Sequence, residues 1–334
     1  MKARSHGIGY KRRHVLGGLG GAVVGLALPG LARTAAFPER AVRLVVPYSV
    51  GIGPDVVARS LAEKLAQTWG QPVWVDNKPG ASGILAFSEV RRTAADGHTL
   101  FLADTATMAV NPLLHASLPY DPARDLLPLS LLFRATFLLW VGGGSRYKTL
   151  ADFLQAARQV PGNLSYASLG HGHASHVAIE SFARAADLRL LHVPFKDAGT
   201  LLSAVAAGDV DFTAIGLHSV AGLMSHGHLR PLAVAATTRL ADHPDIPTLV
   251  EAGGPPVEMH PWAALVAVVG TPPARVAQLQ RDIVGALADP ALRARAEAAG
   301  FEITPSTPQA LRARVEADIA LYAPLVDEGR IARL

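Results

Sequence analysis

The sequence has 334 residues, half of them hydrophobic and 17% charged, with a formal net charge of +4. That length suffices for one large core or two, and the complete lack of cysteine excludes a disulfide framework, a thiolate metal site and a lipidated N-terminal cysteine. The positive balance is confined to the start: Lys2, Arg4, Lys11, Arg12, Arg13 and Arg33 are six of 31 basic residues, and the 25 that remain face 27 acidic ones, a net charge of −2. Beyond residue 36 no basic surface argues for nucleic acid or an anionic membrane as partner.

In chain order, residues 1–36 read as an export signal peptide. Lys11-Arg12-Arg13 precede a glycine-rich apolar run from Val15 to Leu28, and small residues at Thr34-Ala35-Ala36 place the expected cut after Ala36. The adjacent arginines and the weakly apolar core predict twin-arginine export, with general secretion as the alternative. After Ala36 no apolar run approaches the ~20 residues of a membrane helix, so the mature chain is expected in the periplasm, not embedded in the membrane, and monomeric.

The first strand is expected at Ala41–Val46, broken by Pro47-Tyr48-Ser49-Val50-Gly51-Ile52-Gly53 before Pro54-Asp55 open a helix whose Val57, Leu61 and Leu65 share one face. A second strand–loop–helix unit follows: Val73–Val75, the loop Asn77-Lys78-Pro79-Gly80-Ala81-Ser82-Gly83, and a helix over Ile84–Ala94. A third strand, Thr99–Ala103, leads through Asp104-Thr105-Ala106-Thr107 to Asn111-Pro112. Residues 119–128, rich in proline and aspartate, read as a connection. Phe137–Val141 is then the crossing into a second lobe: helix 150–159, strand 164–168, the loop Gly170-His171-Gly172-His173-Ala174-Ser175-His176, helix 175–185, strand 191–194, helix 199–207 and strands 210–215 and 232–236. Trp262–Val269 returns to the first lobe, which ends in helices 273–287, 290–299 and 308–325. Alternating strands and helices predict an α/β fold, with lobe 1 built from 37–138 and 263–334 and lobe 2 from 139–262. Two crossings make a hinge, and the loops at the carboxyl ends of the strands are the expected ligand site.

Several short stretches recur in one known family. They are Val42-Arg43-Leu44-Val45-Val46-Pro47, Asp55 with Ala58-Arg59, Asn77-Lys78-Pro79-Gly80-Ala81, Asp96-Gly97-His98-Thr99-Leu100 and Asn111-Pro112. Leu164-Ser165-Tyr166-Ala167-Ser168 with Gly170, Gly172 and His176, His192-Val193-Pro194-Phe195-Lys196, Pro244-Asp245-Ile246-Pro247-Thr248-Leu249 and Gly270-Thr271-Pro272 complete the series. In this order the chain resembles the substrate-binding proteins of tripartite tricarboxylate transporters, the Bug family. The resemblance implies a two-lobed type II periplasmic binding protein fold, each lobe a mostly parallel sheet flanked by helices. It further implies a receptor, without catalysis, cofactor or metal, that closes on a small carboxylate (a di- or tricarboxylate, an amino acid or an aromatic acid) and hands it to membrane transporter subunits or a sensor protein. By position, the ligand carboxylate would be held through backbone N–H groups of two facing loops, Tyr48–Asp55 and Ser168–His176, with Gly80–Gly83 beside them. The expected ligand-binding residues are Tyr48, Ser49, Gly51, Ile52, Asp55, Ala81, Ser82, Thr105, Ser168, Gly170, Gly172, His173, His176 and Asp211. Helix N-termini with unpaired donors suit an anion.

Three positions depart from the family pattern. Ile52 stands where a second glycine is usual and does not favour a positive φ; His173 replaces a small serine; Asp197 replaces a glycine. The competing class is an exported metal-dependent or serine hydrolase that uses the loop 170–176: H-x-H-x-x-H could converge on a metal, and Ser168 or Ser175 could pair with a histidine and Asp211. No acid neighbours the histidines in sequence, no G-x-S-x-G elbow is present, and the glycine pattern at Gly170 lacks the third glycine of a dinucleotide fingerprint. Asp55 equally fits a helix-start acid, Ser82 a cap, Asp211 either a hinge bond or an ammonium acceptor, Trp262 hinge packing, and Arg59 a structural partner.

Overall fold

The computed structural model describes residues 37–334, so the signal peptide read at residues 1–36, with its cut and export route, lies outside the described residues. Branched apolar runs become strands and four-residue apolar periodicity becomes helix packed on them. The order is β1 (Val42–Val46), α1 (Gly53–Trp69), β2 (Val73–Asn77), α2 (Ile84–Val90), β3 (Thr99–Asp104), α3 (Asn111–Leu114), α4 (Pro122–Asp125) and β4 (Leu126–Arg134). There follow β5 (Phe137–Gly142), α5 (Leu150–Gln159), β6 (Ser165–Ser168), α6 (Ala174–Ala185), β7 (Leu191–Pro194), α7 (Ala198–Ala207), β8 (Phe212–Gly216), α8 (Ala221–Ser225) and β9 (Leu229–Val234). The chain closes with β10 (Trp262–Val268), α9 (Pro273–Leu287), α10 (Pro290–Ala298), β11 (Glu302–Ile303) and α11 (Pro308–Asp327).

Two sheets result, one ordered β11-β4-β10-β3-β1-β2 and the other β7-β6-β8-β5-β9. Both are mixed rather than mostly parallel. β1 runs parallel to β2 and β3, and β6 to β7 and β8. The strands that enter each sheet from the crossings, β10 and β5, pair antiparallel with both their neighbours because they start at the hinge and run away from it. The connection read from sequence at residues 119–128 overlaps the start of β4, a nine-residue strand beside β10 whose residues 129–134 no sequence signal had assigned; Pro128 is accommodated opposite Val266, at a register shift of that pair.

The two crossings, 135–136 and 258–261, lie side by side. Ala135 N donates to Pro261 O at 2.8 Å, Phe137 N to Met259 O at 3.0 Å, and Thr136 Oγ1 lies 3.2 Å from His260 Nδ1. The apolar interior does not divide there. One cluster of buried side chains runs from Leu44, Leu61 and Leu100 through Ala135, Phe137 and Met259 to Phe153, Tyr166 and Phe212.

Candidate functional site

Trp262 leaves the hinge at the start of β10, and β3 and β4 run antiparallel to it, so the carboxyl ends of β1, β3 and β4 face the second sheet. By the same geometry the carboxyl ends of β6 and β8 face the first. Ligands in open α/β sheets bind at such ends.

On the first side, β1 gives way to an exposed turn that Gly51 makes with φ +84°, after which Ile52 is extended (φ −84°, ψ 160°) and opens α1. The strain anticipated at Ile52 is therefore absent, because Gly51 takes the left-handed position. Asp55, 1% exposed, is spent on the loop itself: Oδ2 accepts from Gly51 N (2.8 Å) and Arg59 Nε (2.9 Å), and Oδ1 from Asn77 Nδ2 (2.7 Å). Burial alone would raise its pKa, but Arg59, the Gly51 N–H and Asn77 hold it below the usual carboxylate value. Asp55 and Arg59 thus fit the structural readings. Among the described residues, the backbone N–H groups of Ser49, Val50, Ile52 and Gly53 have no acceptor.

Beside this turn, Gly80, Ala81, Ser82 and Gly83 all have positive φ (+130°, +47°, +48° and +84°). For Ala81 and Ser82 the left-handed conformation costs roughly 1–2 kcal/mol each. The surroundings hold it in place: buried Asn111 donates through Nδ2 to Ser82 O (2.9 Å) and to the Tyr120 hydroxyl (3.1 Å), which donates to Thr107 O (2.9 Å). A Cβ on Gly83 would lie 2.3 Å from Thr107 Cγ2. The exposed Ala81 and Ser82 N–H groups also have no acceptor among the described residues. Backbone strain maintained in this way marks functional loops.

At the end of β3, Asp104 accepts from Tyr48 OH through Oδ2, and from Thr107 N and Oγ1 through Oδ1 (2.8 Å each). Burial raises the Tyr48 pKa well above its ordinary value, with Asp104 adding to it, so Tyr48 stays a phenol and a donor. Thr105 points elsewhere. It is 2% exposed and its Oγ1 accepts from Trp262 N (3.2 Å), which makes it a hinge residue rather than a ligand contact.

The facing loop after β6 was expected to offer bare N–H groups; among the described residues only those of His171 and Ala174 lack an acceptor, and the rest of residues 169–176 are bonded inside the loop. Leu169 N donates to Ser175 Oγ, Gly170 N to Ser168 Oγ, Gly172 N to His176 Nδ1 (3.0 Å) and Ser175 N to His173 Nδ1 (3.1 Å). His173 N, His176 N and Val177 N donate to carbonyls inside the loop. The loop is a self-bonded, rigid surface pressed on the other lobe: Gly172 has φ +72°, and a Cβ there would lie 2.6 Å from Leu114 Cδ1. His173 caps α6, and Asp197 caps α7 by accepting from Thr200 N (2.9 Å), which explains two of the three departures as helix caps.

Imidazole nitrogens of His171, His176 and His192 lie within 4.8 Å of one another, a grouping the sequence hid because His192 comes from β7. Two observations oppose a metal there. His176 Nδ1 accepts a backbone N–H, which puts its proton on Nε2, and the His176 and His192 rings stack at 3.9 Å and 8°, so their lone pairs run side by side instead of converging. Burial foremost, and the neighbouring histidines, take the His176 pKa down to about 2; burial and His171 take His192 down to about 4. Ser168 Oγ does lie 2.6 Å from His192 Nε2, but Ser168 is fully buried. Asp211 sits before β8, at the end of the strand away from the hinge, where Oδ2 accepts from Ser165 N (2.8 Å) and Oγ (2.9 Å). It can complete neither a triad nor an ammonium site at the loop. Phe301, which packs against Gly53, and His218, 5.3 Å from Phe301 across the interlobe space, were not picked out from the sequence. Both line a groove of about 480 Å³ between the lobes, with Arg134, Thr136, Leu240 and Glu302. None of the residues expected from sequence lines that groove.

Residues 57–329 match the family described as "Tripartite tricarboxylate transporter family receptor". "Protein BugT" of Bordetella pertussis is 31% identical over 312 residues, covering 92% of this chain and 94% of its own. Among solved structures, "R. palustris Rpa4515 with adipate" aligns with a TM-score of 0.80 at 32% identity over 89% of this chain and 100% of its own. "MatC (Rpa3494) from Rhodopseudomonas palustris with bound malate" aligns with a TM-score of 0.76 at 31% identity over 86% and 99%.

Proposed function

The chain belongs to the tripartite tricarboxylate transporter receptor family, and from that premise we propose that it is a periplasmic receptor that closes on a small carboxylate and delivers it to a membrane transporter. The observation that carries the ligand class is the set of unpaired backbone donors at Ser49, Val50, Ile52, Gly53, Ala81 and Ser82, all exposed except the half-buried Gly53, set on two adjacent loops at the carboxyl ends of β1 and β2. Charge-assisted bonds from such donors hold an anion without an arginine. The rigid loop 168–176 is the opposing wall, with Gly170, Gly172, His173 and His176 shaping it, and the paired crossings at 135–136 and 258–261 are the hinge about which the two close. The solved relatives with adipate and malate support a dicarboxylate of four to six carbons.

A thermal-shift and calorimetric screen of the mature chain against mono-, di- and tricarboxylates tests this. A ligand at 100 times its Kd adds about 2.7 kcal/mol to the folded state, so the expected result is a rise in Tm with at least one acid and no turnover of it. Failure of every acid to shift the transition would sink the proposal.

A further inference from the structure

Resting on that receptor reading, we propose that His218 is a latch between the lobes that holds the closed receptor only as a neutral imidazole, so that ligand affinity falls as the pH drops through the histidine range. His218 stands just past β8, on the second lobe, while Gly300 and Phe301 stand between α10 and β11 on the first. The two sides meet closely. A Cβ on Gly300, whose φ is +78°, would lie 2.0 Å from His218 Nδ1 and 2.4 Å from its Cγ, so the ring fills the notch that glycine leaves. The Phe301 ring lies 5.3 Å from the imidazole and 4.4 Å from Phe133 of its own lobe. On the other side of the imidazole, a Cβ on Gly216 would be 3.2 Å from Nδ1.

The contact reaches the anion site through Phe301. A Cβ on Gly53 would lie 2.4 Å from Phe301 Cε2, so the same ring is seated against the start of α1, where the Ile52 and Gly53 N–H groups are open. Any rotation about the paired crossings that parts the lobes draws His218 out of the notch and uncovers Phe301. A ligand that favours the closed form favours this contact, and by linkage the contact favours the ligand. His218 is thus a positioning residue, acting on the ligand through Phe301.

The notch has no place for a charge. His218 Nε2 lies 3.1 Å from Ser219 Oγ, while Nδ1 is buried without a hydrogen-bond partner among the described residues. An imidazolium carries a proton on both nitrogens, so protonation would strand an N–H and a positive charge against Gly300. The charged groups around the groove do not compensate. Glu302 is engaged with Arg134 at 2.7 Å, Asp242, His243 and Glu297 complete the titratable lining, and burial is the cause that moves the His218 pKa, downward. Opening the lobes returns the ring to water and to its ordinary value of 6.5. Below that value the open form takes up a proton that the closed form refuses, so acid weakens binding; well above it the latch contributes no pH dependence.

The test is calorimetry on the mature chain with succinate, malate, glutarate and adipate at pH 7.5 and 5.5, in the wild type, His218→Ala and His218→Phe. At pH 7.5 the alanine variant is expected to bind about three- to tenfold more weakly than wild type, and the phenylalanine variant, which returns a ring to the notch, to recover part of that loss. From pH 7.5 to 5.5 the wild type is expected to lose about three- to tenfold more affinity than either variant, as uptake of one proton by the open form requires. Titration of the acids themselves is common to all three proteins and cancels in the comparison. Either variant alone decides the pH profile, so misfolding of one leaves the test intact. Parallel profiles in wild type and variant, or an alanine variant that binds like wild type at pH 7.5, overturn the latch and leave the receptor standing. Absence of heat with all four acids at pH 7.5 defeats the dicarboxylate reading and the latch with it.

Discussion

His176 is 2% exposed, its Nδ1 is committed to the Gly172 N–H, and its pKa lies at about 2 against an ordinary 6.5. Above pH 6.5 the ring is neutral in both folded and unfolded chains and contributes no pH dependence. Below it, the unfolded chain binds a proton that the folded one refuses, so stability falls with pH by about 1.4 kcal/mol per unit from this group until the folded pKa is reached. His176→Asn places an amide oxygen near the position of Nδ1 and removes the titration. Its Tm is expected to decline less steeply than wild type between pH 6.5 and 4.5, and parallel curves for the two proteins would refute the assignment. The role of this histidine was only half legible in the sequence. The H-x-H-x-x-H spacing drew attention to the loop, but the ring partner His192 is 16 residues further on in β7, and no local pattern announces that a side chain will consume a backbone donor.

At the scale of elements, Asp211 joins the amino ends of β6 and β8 by accepting from both Ser165 groups. Asp211→Ala is expected to cost about 1–3 kcal/mol in a denaturant titration with ligand affinity unchanged, and a large loss of affinity would return Asp211 to the site. The apolar surroundings of Asp211 were visible in sequence, but not the end of the strand at which it works, which depends on the direction of β8 against β5. β4 shows the opposite difficulty. Pro122 and Pro128 read as punctuation, yet Leu126 to Arg134 form a strand second from the edge of its sheet, where β11 pairs only with Phe133 and Arg134 and the β10 pairing shifts register beside Pro128. Strands without an interrupting proline, such as β1 and β3, follow from their branched apolar runs alone.

Across the whole molecule, the C-terminal segment ties the lobes together behind the candidate site. α11 packs on both β4 and α6. After it, Arg330 donates to Leu188 O (3.1 Å) and lies 3.5 Å from Glu180, whose other oxygen accepts from Tyr166 OH (2.6 Å). Leu334 N then donates to Leu114 O (2.7 Å) on the first lobe. Burial raises the Glu180 pKa, with Tyr166 and Arg330 pulling it back. Arg330→Ala strands a buried carboxyl and is expected to cost about 3 kcal/mol, read as a lower denaturant midpoint. A midpoint within experimental error of wild type would show the pair to be dispensable.

By itself the sequence determined the alternation of strands and helices, the two chain crossings, the glycine-rich loops at strand ends and the family, because each is written in local periodicity, turn chemistry and short motifs in order. Tertiary structure alone decided which of those residues face a ligand. Asp55, Thr105 and Asp211 turned inward to structural bonds, and most N–H groups of the loop 168–176 were taken by the loop's own side chains and carbonyls. Those outcomes depend on strand direction and on partners brought together by folding, from Asn77 22 residues beyond Asp55 to Trp262 157 beyond Thr105, and a hydrogen-bonding group is free for a ligand only after every nearer partner has been counted.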